Sequence, residues 1–165
     1  MIDLPLLLTY GAILSVIAGA IVSASFIYRP RIWIRDFPAD IGEMADPMTE
    51  EEKRLALKIG LLVVTTMLVI LVLTALGYGF DNGFLLAALH TYLVFQIFNA
   101  FDIVIDWVAL WLIDPANPPI PGTENAPGWS NYSFHAIASL KGSVIGVPFA
   151  LLATGMGWLI WSYAL

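Results

Sequence analysis

Cysteine is absent from the 165 residues, which excludes disulfides, thiolate nucleophiles and iron–sulfur clusters. Charge is scarce: Asp, Glu, Lys and Arg make up 12% of the chain, against about 25% in a typical soluble domain. Only two histidines occur, His90 and His135. There is no phosphate-cradling glycine loop, no His-Glu-x-x-His, no zinc-ligand spacing, and no Gly-x-Ser-x-Gly elbow around Ser133 or Ser139. A net charge of −6 argues against a nucleic-acid partner.

What the chain has instead is apolar sequence. Hydrophobic residues fill 59% of positions, and mean hydropathy is +0.84. Four stretches are long enough for the ~20 residues a helix needs to cross a bilayer: about 4–27, 57–79, 83–113 and 140–164. The expected fold is therefore all-α, a polytopic membrane protein built as one four-helix bundle over residues 1–165. Two long loops, about 28–56 and 114–139, join the spans. The first span is read as a retained helix rather than a cleaved leader, since it starts with Asp3 and is followed by Arg29 and Arg31.

The basic residues orient the bundle. Arg29, Arg31, Arg35, Lys53, Arg54 and Lys58 cluster around the first long loop, and Lys141 opens the fourth span. Neither terminus nor the turn at Asp81-Asn82-Gly83 carries one. The positive-inside rule then places both termini outside and both long loops in the cytoplasm. Thr49 with Glu52 three residues on has capping-box spacing, so the second helix is expected to start near Thr49, before its apolar run. Ile32, Trp33 and Ile34 among arginines suggest a short interfacial segment. The prolines and glycines between Asp114 and His135 argue against a helix, while Trp129, Tyr132 and Phe134 favour a packed loop over a disordered one. Rows of small residues, Ser15/Gly19/Ser23 and Gly142/Gly146/Ala150, mark faces where helix backbones approach closely, within one chain or between copies. Pro148 is expected to kink the fourth span.

The third span carries two aspartates, Asp102 and Asp106. A carboxylate at bilayer depth costs about 2.5–3.5 kcal/mol on insertion scales, so it needs a partner or a purpose. At ~100° per residue, Tyr92, Gln96, Asn99, Asp102 and Asp106 share roughly one third of the helix circumference. Lipid cannot satisfy that stripe, which must face the bundle interior or a water-filled cavity. His90 falls on the opposite side and reads as an interfacial histidine.

Three readings of the aspartates stand open. In the first they lock the bundle, with Arg35, Lys58 or Lys141 as ion-pair partners and Asp36 as a further charged neighbour. In the second, Asp102 and Asp106 join Glu124 and His135 in an acid–base or metal site. Asp102, Asp106 and His135 would then hold a divalent ion, because hard cations take carboxylate oxygens and a histidine favours a transition metal. The third is a proton or cation path, which the apolar outer half of the helix leaves incomplete. The expected ligand is a cation or a small amphiphile. The competing function is a non-catalytic small subunit or assembly factor, either a homo-oligomer or part of a larger membrane complex; whether the chain is an enzyme stays open.

The segments Asp36-Phe-Pro-Ala-Asp40, Asn99-Ala-Phe-Asp-Ile-Val-Ile-Asp-Trp107, Pro121-Gly-Thr-Glu124 and Phe134-His135 before Lys141-Gly142 together resemble those of small four-span prokaryotic membrane proteins of unassigned function. The resemblance implies a location in the prokaryotic plasma membrane and brings no activity with it.

Overall fold

The computed structural model describes residues 1–164. Four long apolar helices pack as a bundle: α1 (Leu4–Tyr28), α3 (Glu50–Tyr78), α4 (Phe84–Leu112) and α5 (Tyr132–Ala164). A short helix, α2 (Ala39–Met44), and 3₁₀ turns over Pro30–Asp36 and Pro127–Ser130 occupy the long connections. Each of the four long helices is long and apolar enough to cross a membrane. The two long loops meet at one end of the bundle, the loop end; the hairpin end holds the 79–83 turn, the start of α1 and the last turns of α5.

The helix starts follow local chemistry. The Asp3 carboxylate accepts the Leu6 N–H and caps α1. At α3 the Thr49 hydroxyl accepts the Glu52 N–H, and the Glu52 carboxylate accepts the Thr49 N–H, a complete capping box. The last helix begins eight residues earlier than its apolar run. Asn131 Oδ1 accepts the Phe134 N–H at 3.0 Å, and no Pro or Gly interrupts residues 131–141. His135 therefore sits on a helix and not in a loop. Pro148 is accommodated inside the continuous α5.

The core sits midway along the bundle, where Leu14 and Ala18 of α1 meet Ile70 and Leu71 of α3, Val94, Phe95 and Phe98 of α4, and Ala153 of α5. The small-residue rows work within the chain. A Cβ on Gly19 would strike the Phe101 ring at 2.9 Å, and one on Gly146 would enter the Phe95 ring. Both rows thus let α1 and α5 close onto α4.

His90 packs near the ends of α1 and α3. It is fully buried, its Nε2 lies 3.1 Å from the Asp3 carbonyl, and its ring stacks on Tyr78 at 4.4 Å. The chain leading into α1 covers it, a contact that the periodicity of α4 alone does not contain.

A second apolar cluster forms at the loop end from Ile41, Leu110, Ile120, Ala126 and Trp129, with Phe37 packed against it. The two loops are tied directly: Asp40 Oδ2 accepts the Gly128 N–H at 2.6 Å. Gly128 must be small there, since a Cβ would lie 2.7 Å from Asp40 Oδ1. The Pro30–Asp36 turn folds back on the helices. Ile32 is buried, Trp33 Nε1 donates to Ser25 Oγ, and Arg31 bridges to Glu52 at 2.8 Å and to the Asp46 and Pro47 carbonyls.

Candidate functional site

The polar stripe of α4 faces α5, and the two helices run antiparallel. Tyr92 donates its hydroxyl to the Ser143 carbonyl at 3.2 Å. Asn99 Nδ2 donates to Ser143 Oγ at 2.9 Å and to the Ser139 carbonyl at 3.0 Å. The Ser143 hydroxyl has a single proton, with Gln96 Oε1 at 2.9 Å and the Ser139 carbonyl at 3.2 Å as its acceptors. Gly142 keeps this seam close, because a Cβ there would lie 2.9 Å from Asn99 Oδ1.

One turn further toward the loop end, His135 Nδ1 lies 2.9 Å from Asp106 Oδ2. The His135 side chain is 7% exposed and that of Asp106 37%, so the carboxylate reaches the surface while the imidazole does not. A carboxylate accepts only, so Nδ1 carries the shared proton, and in the neutral imidazole Nε2 is then a bare acceptor. That Nε2 is buried and without a hydrogen-bond partner. Aromatic rings wall the imidazole: Phe134 at 5.4 Å and Phe37 at 6.0 Å, both edge-on. Phe37 in turn meets Trp129 at 5.1 Å and Phe26 at 5.8 Å. The loop cluster is thus the roof over His135.

Asp102 lies one turn back from Asp106 and is half-buried. Asp36, on the Pro30–Asp36 turn, lies close enough for the charges of Asp106 and His135 to act on it. Although the residue keeps an open face, burial raises the Asp36 carboxyl above the usual carboxylate range. The Asp106 carboxylate adds to that rise, while His135 and Arg35 oppose it. A raised folded-state value means that ionising Asp36 weakens the fold, progressively as pH climbs from the unfolded value of ~3.9 through the folded one. Asp36→Asn is accordingly expected to raise the melting temperature at pH 7, with the gain vanishing below about pH 4. Thermal unfolding of both proteins across that range checks it; a constant offset would show that the charge is not the cause.

The other expected partners lie elsewhere. Lys58, Lys141 and Arg35 are exposed, and among the described residues no Lys or Arg is in salt-bridge range of Asp102 or Asp106. The ion-pair lock is therefore not formed. The α5 face toward α4 is taken by His135, Ser139, Gly142 and Ser143, and Lys141 is rotated off it. Glu124 is exposed and turns back on its own loop. The backbone N–H groups of Glu124 itself and of Gly122 hold its carboxyl below the usual range, with Gly122 N 3.0 Å from Oε1. Among the described residues, no three His, Asp or Glu side chains converge as a metal-ligand set.

Two partners were legible but unread. Ser139 and Ser143 follow His135 at intervals of four, which puts all three on one face of a helix. That spacing is the signal that α5 carries its own polar stripe facing that of α4.

Fold and composition together define an integral membrane protein with four helices able to span a bilayer. Searches of family models, curated proteins and solved structures find no match to this chain.

Proposed function

We propose that this membrane protein binds the head of a small cationic amphiphile at the loop end of the bundle. His135 and Asp106 form the centre of the site, and Asp102 and Asp36 add negative charge. The observation that carries this reading is the buried, unpartnered Nε2 of His135 beside a hydrogen-bonded carboxylate. A buried acceptor left unpaired costs about 1–3 kcal/mol, and an apolar residue there would avoid that loss. Among the described residues no Lys or Arg pairs Asp102 or Asp106, and an open acceptor close to unpaired carboxylates suits an ammonium group, which is charged and donates hydrogen bonds. The seven basic residues gathered at this end favour a cytoplasmic site, with both termini outside. The pair has the form of an acid–base dyad, an imidazole oriented by a carboxylate.

Dodecylamine is the probe. Titrated into histidine-labelled protein in detergent, it is expected to shift the His135 ring nitrogens saturably, whereas dodecyl phosphate leaves them in place. Asp102→Asn/Asp106→Asn should weaken the response at least about tenfold, roughly 1.4 kcal/mol. A response that does not saturate, or is equal in the variant, would sink the reading.

A further inference from the structure

A groove of about 560 Å³ runs between the Pro30–Asp36 turn and the first half of α3, lined by Arg35, Lys53, Leu57, Gly60, Leu61 and Val64 among others. Its volume lies in the range of about 300–1,000 Å³ typical of small-ligand sites. Its walls are fixed. Trp33 on one side is held through its indole N–H to Ser25, and Arg31 straps the same turn to Glu52 at the start of α3. Gly60 forms part of the floor, and a Cβ there would meet nothing within 4 Å.

Chemistry changes along the groove. Along α3 the lining begins at the cation Lys53, and the Pro30–Asp36 turn contributes a second cation, Arg35, and one carboxylate, Asp36. Past Ala56 the lining is apolar as far as Val64. From Lys53 to Val64 the helix rises about 16 Å at ~1.5 Å per residue, close to half of a ~30 Å hydrocarbon core. A charged mouth with one leaflet's length of apolar floor matches a lipid, head at the mouth and chain along α3. The mouth offers both signs, so a head bearing both is the complementary one.

We infer that the groove holds the phosphate and one acyl chain of an aminophospholipid from the adjoining leaflet, with the phosphate on Arg35 and Lys53 and the ammonium group turned toward Asp36. This rests on the ammonium reading of the His135 site and specifies its ligand class.

The test uses the full chain in mild detergent, equilibrated with equal amounts of dioleoyl phosphatidylethanolamine, phosphatidylglycerol and phosphatidylcholine. Lipid retained through gel filtration is counted by mass spectrometry. Wild type is expected to keep phosphatidylethanolamine at least about fivefold over either other lipid, roughly 1 kcal/mol of preference. Gly60→Phe, which fills the floor, should lower retention of that lipid several-fold, and Gly60→Leu should act in the same direction should the larger side chain disturb folding. Arg35→Gln/Lys53→Gln should also lower retention, and Asp36→Asn should erase the preference over phosphatidylcholine. Equal retention of the three lipids by wild type, or unchanged retention in both Gly60 variants, overturns the inference. If dodecylamine still reports on His135 in that case, the ammonium site stands and only the groove assignment falls; if dodecylamine fails while the Gly60 variants lose lipid, the reverse holds.

Discussion

Trp129→Ala is expected to destabilise the protein by about 3–5 kcal/mol, the range for removing a large buried aromatic side chain. Trp129 is 1% exposed and is the largest fully buried side chain in the protein. It touches Phe37 of the other loop, and its indole N–H donates to the Thr123 carbonyl at 3.0 Å, with Thr123 Oγ1 at 3.1 Å. Truncation would leave a cavity between the loops and remove one of the two donors to the Thr123 carbonyl, which keeps the Ala126 N–H at 3.2 Å. The damage should be local at first. Hydrogen exchange is expected to rise steeply over residues 37–45 and 120–131, while the mid-bundle core around Leu71 and Val94 keeps its protection. Trp129→Phe separates the two contributions, since it retains most of the volume and loses only the N–H. Its expected loss is about 1–2 kcal/mol. If Trp129→Ala left both melting and loop exchange unchanged, the loop cluster would not be a cooperative roof over His135.

Much of this arrangement was legible in the chain, because hydrophobicity and charge act locally. The four apolar runs, the capping box at Thr49 and the polar stripe of α4 all follow from residues within a few turns of one another. The fourth helix was read eight residues short because Asn131, its cap, follows a proline-rich stretch and precedes polar residues. Apolar periodicity does not report such a start. The partners of the stripe are a different matter. Which cation or histidine meets Asp106 depends on the axial register and rotation of α5 against α4, and packing sets these through Gly142 and Gly146. Lys141, one residue from Gly142, looks as reachable as His135 in sequence, yet it lies about 100° around the helix. Glu124 was equally misleading: its loop is short of regular structure, and the carboxylate satisfies nearby backbone N–H groups first.

Asp106 and His135 should respond to substitution with opposite signs. In Asp106→Leu the imidazole stays buried with both ring nitrogens unpaired, an expected loss of about 1–3 kcal/mol. His135→Leu removes the unpaired Nε2 and sets an apolar side chain against Phe37 and Phe134. The Asp106 carboxylate it abandons is 37% exposed at the protein surface and is not sealed in the core. Stability is therefore expected to hold or to rise by about 1 kcal/mol. The double variant then closes a cycle whose coupling, between about 0.5 and 3 kcal/mol for groups in direct contact, measures the pair itself. Denaturant or thermal unfolding in one detergent supplies all four values. The same His135→Leu protein should lose its response to dodecylamine, as judged by binding rather than by the vanished histidine signal. Greater stability with lost binding is the signature of a residue kept for a ligand at the expense of the fold. A loss above about 2 kcal/mol in His135→Leu would instead make the histidine a structural member of the α4–α5 seam, continuous with Asn99 and Ser143, and its open nitrogen an incidental feature of that packing.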